Sequence, residues 1–592
     1  MIPPRLEWLL PEPWPDPPPF AGFGLPLATL LARRGFTDDD GLQRFLQAGV
    51  ASLHDVSLMA DADVALARLE VALDRGEQIA IWGDYDADGM TAIVVWMLAL
   101  RALGAEPLRY VPSRLAEGYG LSAAGLQELH GRGVTLVVTC DCGVGNLEEV
   151  EVARGLGMEV IVTDHHLPPP RLPRAVAVVD PHRADCGYPD PDLTGAGVAY
   201  KLASRLLSRR GCAASDLAAM AAIGTVADMA PMTGESRAIV RIGLAEMATT
   251  SRPGLRALLA RAADDAAQPT ARDLAFGLAP RINAAGRIAE AELAIGLLLE
   301  EDAARAEQLA AELEEVHLRR RELTVTAVDE ASRMVADPQA TAPLALRGSW
   351  SAGIIGLVAG RLCDALARPV AVAVQVDAEM RGSIRAPADF NVAAALEACA
   401  AHLTKRGGHA AAGGFSMSAG AWEAFAAAFG ALGRPFPVGG DPAVEAAGRI
   451  RVDLVLPAAH LGWPFADELA RLAPFGPGHV EPLLAVTGLR VVEARRVGAG
   501  REHVSIRLRR GAEIFDAIAF GMPADRALPE PGAALDLLGT LERDLYLGVP
   551  RLRLRTIDYA DAALSPLAAR RGAASRPAPA ISPPGAVAEG VA

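Results

Sequence analysis

Apolar positions along this chain change period several times, and each change predicts a different architecture. Between residues 25 and 75, Leu and Ala recur at three- and four-residue spacings, the period of helices with one buried face. From about 78 to 230, short β-branched runs alternate with helical stretches. The runs are Gln78-Ile79-Ala80-Ile81-Trp82, Thr135-Leu136-Val137-Val138-Thr139-Cys140, Val160-Ile161-Val162-Thr163 and Ala175-Val176-Ala177-Val178-Val179. This alternation predicts a parallel sheet with helical crossovers, and helices continue through about 300. Glu300 to Asp337 is the longest uninterrupted helical signal. It lacks Gly and Pro and is dense in charge, including Arg319-Arg320-Arg321, which predicts a solvated connecting helix holding two domains apart around a cleft.

A second α/β domain is expected over 338–440, with strands at Leu344-Ala345-Leu346 and Val370-Ala371-Val372-Ala373-Val374. A helix should open after Ser351-Ala352-Gly353-Ile354-Ile355-Gly356, and Pro435, Pro437 and Gly439-Gly440-Asp441-Pro442 mark a linker. From about 447 to 560 the pattern alternates residue by residue, as in Val504–Arg510 and Arg551–Arg555, which predicts a small β-barrel. The fold class is therefore α/β: a parallel-sheet domain (46–299), a long helix (300–337), a second α/β domain and a barrel. Residues 1–45 read as a Pro-rich surface arm with a helical lead-in. Residues 561–592, rich in Ala, Pro, Gly and Ser, read as a disordered tail.

The length of 592 residues fits three or four domains. Net charge is −15, which on its face argues against a nucleic-acid partner. Binding depends on local stripes, however, and metal sites concentrate acid, so charge alone decides nothing. Six cysteines without a CxxC pair argue against a disulfide framework or zinc ribbon. The N-terminus has no basic segment followed by an apolar core, and no apolar run is long enough to span a bilayer. A cytoplasmic protein with no membrane partner is expected.

The candidate chemistry lies where the four runs of the first sheet end. Asp84-Tyr85-Asp86-Ala87-Asp88-Gly89, Asp141, Asp164-His165-His166 and Asp180-Pro181-His182 each follow one run. In parallel sheets the carboxyl ends of the strands lie along one edge, where ligands bind, so these loops should converge. So much unpaired negative charge is costly unless a cation sits within it. Alone, Asp84-x-Asp86-x-Asp88 also fits a calcium loop or a helix N-cap. The EF-hand reading fails because position twelve from Asp84 is Val95 rather than Glu.

Those motifs, with Asp228 in Gly224-Thr225-Val226-Ala227-Asp228, resemble the DHH phosphoesterase superfamily. Within it the chain is similar to the RecJ family of single-strand-specific 5′→3′ DNA exonucleases, over roughly residues 45–560. The later blocks Pro280–Arg287, Gly382-Ser383-Ile384-Arg385 and Gly407–Gly414 agree. The resemblance implies an OB-fold for the barrel and two ions, Mn²⁺ or Mg²⁺, clamping the attacking and departing oxygens of a phosphodiester. Carried over by position, Asp86 ligates one ion and Asp88 the other, Asp141 bridges, and His165 and Asp228 complete the ligands of the second ion. His166 faces the phosphate or protonates the leaving oxygen, and Asp84 ligates or orients. Inorganic pyrophosphatases of the superfamily carry a histidine where this chain has Trp82, which weakens that branch and leaves one ligand of the first ion open.

By the same resemblance Arg114, Arg287, Ser383, Arg385 and His409 form a pocket for a 5′-phosphate, a task suited to the bidentate guanidinium. Seven Arg against Glu493 and Glu502 between Arg490 and Arg510 give a basic stripe, with Arg495, Arg496, Arg507 and Arg509 assigned to a phosphate backbone. Phe515, Phe520 and Tyr546 are the nearest aromatics and receive no role. The implied substrate is a single DNA strand with a 5′ end, cut to 5′-mononucleotides in repair and recombination. The implied state is a monomer, with a single-strand-binding protein and a helicase as candidate partners. The alternatives are a DHH-type phosphodiesterase acting on short oligonucleotides or cyclic dinucleotides, and a degenerate family member serving as a scaffold; the latter predicts lost ligands, and none is lost.

Overall fold

A computed structural model describes residues 1–14, 16–114, 117–433, 448–498, 500–544, 550–568 and 570. The chain forms two compact units: Arg44–Val444 with Pro474–Val480, and Met1–Gln43 with Glu445–Ala473 and Glu481–Ala592.

In the first unit, five parallel strands lie in the order Leu108–Tyr110, Ile79–Gly83, Leu136–Cys140, Glu159–Thr163, Ala177–Val179. Alternate side chains enter two separate cores. Ile79, Ile81, Leu136, Val138, Cys140 and Ile161 bury on one face, and Ala80, Trp82, Val137, Val160 and Val162 on the other. Four strands are those the β-branched runs predict; the edge strand Leu108–Tyr110 is too short to show a pattern. Cys140 and Cys142 fall into opposite cores as buried thiols. The helix Ala87–Ala102 is buried from Ala87 to Leu100 and packs against Gly195–Arg209 and Leu217–Ala227. It is apolar all round because it is a central element rather than a surface one.

The long helix runs from Ala303 to Arg333, capped by Asp302, whose side chain accepts from the Arg305 amide. It is not a solvated spacer. Ala306, Leu309, Ala310 and Leu313 join the core of the parallel sheet, while Ala327 and Ala331 join the core of the second sheet. One helix therefore carries part of two cores. The second sheet has the order Lys405–Gly408, Ala412–Ser418, Glu379–Arg385, Val370–Val376, Leu344–Gly348, antiparallel except for the last pair. The helix expected after Gly356 begins at Ile355 and runs to Leu366. Three of these strands escape a sequence reading. The Gly382–Arg385 block sits in the middle strand, and the Gly407–Gly414 run is a hairpin rather than an open glycine loop.

The second unit is a closed five-stranded barrel. Leu484–Val497, His503–Arg510, Glu513–Ala519, Arg551–Asp561 and Ala534–Asp544 pair in sequence around it, and Ala534–Asp544 returns to Leu484–Val497. The N-terminal arm belongs to this unit and is not merely laid on it. Glu7–Leu9 pairs in parallel with Arg449–Arg451, and Trp8 is buried with Val452, Leu483, Leu538 and Leu567. The tail reading also needs correction at its start: Asp561 ends a strand, and Leu567 is buried in the same cluster. The linker expected at 435–442 and the tail beyond 570 lie outside the described residues. No helix among the described residues is long and apolar enough to cross a membrane.

Candidate active site

Gly83, Cys140, Thr163 and Val179 end four neighbouring strands, so Asp84, Asp141, Asp164 and Asp180 emerge along one sheet edge. Asp86 caps the helix Ala87–Ala102, its Oδ1 accepting from the amides of Asp88 at 2.9 Å and Gly89 at 3.1 Å. Asp88 is fully buried and accepts from Gly195 N at 2.7 Å and Ala196 N at 3.0 Å, the first amides of a second helix. Asp141 follows the strand Leu136–Cys140 directly and holds a left-handed backbone at φ 60°. Asp228 ends the helix Leu217–Ala227 on the other side.

His165 joins these elements. Its Nε2 lies 3.0 Å from Asp141 Oδ1 and 3.8 Å from both Asp88 Oδ2 and Asp228 Oδ2. Three overlapping groups, Asp88/His165/Asp228, Asp84/Asp86/Asp141 and Asp141/His165/His166, each bring their donor atoms within 4.8 Å of one another. All seven residues that the sequence names for this chemistry are thus brought together. Asp84 Oδ1 is buried without a hydrogen-bond partner.

Burial, then neighbouring carboxylates, pushes Asp84, Asp88 and Asp141 well above the ordinary carboxylate range. Burial and Asp86 raise Asp228 to about 6. Burial and the adjacent His166 charge lower His165 to about 4, which leaves its ring neutral and able to ligate. Burial opposes protonation of His166 too, but the hydrogen bond and charge of Asp164 win and raise it to about 9. Asp164 itself does not face the other acids. Its Oδ1 lies 2.8 Å from His166 Nδ1, and its Oδ2 accepts from Val144 N at 2.9 Å.

Trp82 points into the opposite core, fully buried and stacked on Tyr110 at 4.1 Å, so it gives the site no donor. Cys140 and Cys142 likewise turn away. Two contributors have no strong sequence signal. Tyr119 donates to the Asp141 carbonyl at 2.9 Å, and its hydroxyl lies 3.1 Å from His166 Nδ1. Only its setting between two glycines, both at positive φ, hints at a special loop. Asn283 accepts from Ala87 N at 2.9 Å and so holds the entry to the central helix.

The residues read as a phosphate pocket also converge. Arg385 Nη1 donates to Ser383 Oγ at 2.9 Å, and a Cβ on Gly356 would press on both side chains. Gly353 abuts the Arg287 carbonyl, leaving no room for a side chain. Arg114 lies over the Tyr85 ring at 4.9 Å. Burial, then the charges of Arg114 and Arg320, lowers Arg287 to about 10. His409, at the hairpin tip, stacks over His166 with ring centres 6.3 Å apart, so the second sheet reaches the acidic site.

The basic stripe of the barrel is less free than its sequence implies. Arg495, Arg507 and Arg509 are exposed. Arg496 instead spends its guanidinium on the carbonyls of Pro523, Ala524 and Arg526 at 2.6–3.0 Å. Asp516 lies across from Arg507 and also pairs Arg551, and Arg553 pairs Glu542 and Asp544. Counting charge along one segment misses acids that strand pairing brings alongside. Phe515 is buried and Phe520 half exposed; Tyr546 lies outside the described residues.

Residues 78–225 match the family model described as "DHH family, N-terminal domain", 339–432 the "DHHA1 domain" and 452–558 the "RecJ OB domain". The fold and the clustered acids are those of the DHH class. The chain is 38% identical over 499 residues to the single-stranded-DNA-specific exonuclease RecJ of Thermus thermophilus, across 83% of this chain and 70% of that protein. It is 34% identical over 532 residues to the protein of that name from Escherichia coli, across 86% and 90%. Against the Bacillus subtilis protein, identity is 34% over 522 residues, and this chain spans 65% of that protein's length. The crystal structure of RecJ in complex with Mn²⁺ from Thermus thermophilus superposes with a TM-score of 0.78 at 32% identity, over 94% of this chain and 80% of that one. The chain belongs to the RecJ family.

Proposed function

We propose that this chain is a divalent-metal-dependent exonuclease that takes single-stranded DNA by its 5′ end and releases 5′-mononucleotides. The observation that carries the reading is the overlap of Asp84, Asp86, Asp88, Asp141, His165 and Asp228 within one site beside a cluster of arginines. The residues fit a pair of Mn²⁺ or Mg²⁺ ions. The carboxylates repel one another, Asp84 Oδ1 lacks a partner, and His165 presents a neutral ring. Asp86 would hold one ion, with Asp88, His165 and Asp228 holding the other and Asp141 shared. Asp84 completes the first set or orients it. When bound, such a pair supplies Lewis acidity toward the scissile phosphate and makes water acidic enough to attack near neutral pH.

The chain's own residues do the rest. Asp164 keeps His166 protonated at neutral pH, so its imidazolium can give a proton to the departing oxygen. Arg385, Ser383, Arg287 and Arg114 grip the terminal phosphate and thereby set how far the strand enters, while His409 closes over His166. On the barrel, Arg495, Arg507 and Arg509 follow the phosphate backbone; Arg496, bound to carbonyls, is not among them. The family implies action as a monomer in repair and recombination, inside the cytoplasm, with a single-strand-binding protein and a helicase as partners.

The test is a time course with Mn²⁺ on a strand labelled separately at each end. Mononucleotides leaving first from the 5′ end, with duplex spared, EDTA inhibitory and Asp141→Ala inert, are expected. Cleavage of very short oligomers alone would move the chain to the short-substrate branch. Full activity of Asp141→Ala would refute the site.

A further inference from the structure

The long helix Ala303–Arg333 buries Leu313, His317, Thr324, Ala327 and Ala331, a stripe along one face with a seven-residue gap between His317 and Thr324. Arg320 falls on that stripe, three residues after His317 and four before Thr324, while Arg319 and Arg321 on either side are exposed. It sits where the helix passes from one core to the next, and the helix packs there against both Ala279–Ile288 and Ile355–Leu366. The first carries Arg287, and the second opens against Ser383 and Arg385.

A guanidinium facing inward needs partners, and the protein supplies few. Arg320 Nε is buried without a hydrogen-bond partner. Its Nη2 lies 3.3 Å from His317 Nδ1, but that nitrogen also lies 3.3 Å from the Pro280 carbonyl. One ring nitrogen cannot donate to the carbonyl and accept from Arg320 at once. The charges that act on Arg320 are those of Arg321 and Arg361, both positive. Arg320 in turn acts on Arg287, as do Arg114 and Arg385, so the four guanidiniums lie within reach of one another's charge.

We infer that Arg320 is a fourth arginine of the 5′-phosphate pocket, reaching the terminal phosphate from the long helix and raising selectivity for phosphorylated over hydroxyl ends. The inference rests on the exonuclease reading above and adds a specificity-determining residue to it. A guanidinium on this stripe suits the task because its fork can bind phosphate bidentately while its stem fills the position an aliphatic side chain would otherwise take.

The test uses the full-length protein in EDTA and fluorescence anisotropy with labelled oligodeoxythymidylate bearing a 5′-phosphate or a 5′-hydroxyl, over a series of salt concentrations. Arg320→Met keeps the stem and removes the charge; Arg319→Met is the control. We expect Arg320→Met to lose about tenfold of the preference for the phosphorylated end. Its salt-dependence slope on that strand should also flatten by about 0.7, one phosphate contact, with Arg319→Met unchanged. Preference and slope both equal to the unsubstituted protein's would overturn the role of Arg320 alone. A protein without any preference for the 5′-phosphate would overturn the pocket reading as well. Should Arg320→Met lose its cooperative melt, Arg320→Lys replaces it: a retained point charge without the planar fork should keep part of the preference, and keeping all of it contradicts the inference.

Discussion

His166 shows how much of this site is set by one neighbour. Alone, an imidazole titrates near 6.5. Here Asp164, itself anchored by the amides of Val144 and His165, raises it to about 9 against the effect of burial. A folded value above the unfolded one means the pairing stabilises the fold fully below about 6.5, and that the contribution is lost as pH rises through about 9. In the metal-free protein the His166 ring should therefore titrate near 9 by NMR, and Asp164→Asn should bring it back toward the ordinary range. A titration midpoint that does not move would break the link between them. The same two residues mark what sequence reading can reach. The Asp-His-His motif is visible, but which of the three faces away depends on strand-end geometry. Tyr119, which touches both His166 and the Asp141 carbonyl, sits in a loop with no periodic pattern.

Among the elements, helix ends do most of the positioning. The start of Gly195–Arg209 gives two amides to Asp88, and Gly224 of Leu217–Ala227 leaves room for the same carboxylate. A methyl group at 224 would collide with Asp88 Oδ1 and Thr91 Oγ1. Gly224→Ala should therefore cost about 1–3 kcal/mol by overpacking. It should also weaken Mn²⁺ binding, measured by calorimetry, far more than a surface glycine such as Gly211→Ala; equal affinity in both would show that Asp88 can shift freely. The sequence displays the strands and helices that carry these groups because each is buried on a regular period. It hides Glu379–Arg385 and the hairpin after Lys405, where glycines and arginines interrupt the alternation. It also misjudges the long helix, since charge on three sides obscures the narrow stripe that packs.

At the scale of the molecule, the barrel is completed by residues more than five hundred positions away. Asp558 is fully buried and accepts from Arg5 N, Leu6 N and Trp8 Nε1 at 2.8–2.9 Å, with Arg526 as its ion-pair partner. Deleting residues 1–10 strips those donors and uncovers the Trp8 cluster, so the barrel should melt several degrees lower by calorimetry. An unchanged melt would mean the arm is only an ornament. Nothing in the Pro-rich N-terminal sequence signals this pairing, because its partner strand is distant in the chain and only three residues long. The acidic site leaves its own mark on stability. Raised carboxylates favour the fold at low pH, and that contribution is lost as pH rises, through about 6 for Asp228. Mn²⁺ should accordingly raise Tm more at pH 8 than at pH 5, and at a hundred times its Kd the gain is about 2.7 kcal/mol. An equal gain at both pH values would contradict the charge account.

The most direct measurement is anomalous diffraction from crystals soaked in Mn²⁺. Two ions roughly 3.5–4 Å apart are expected. One should lie among Asp88, His165 and Asp228, the other between Asp84 and Asp86, with Asp141 touching both. A single ion, or a pair that leaves Asp141 without contact, would contradict it.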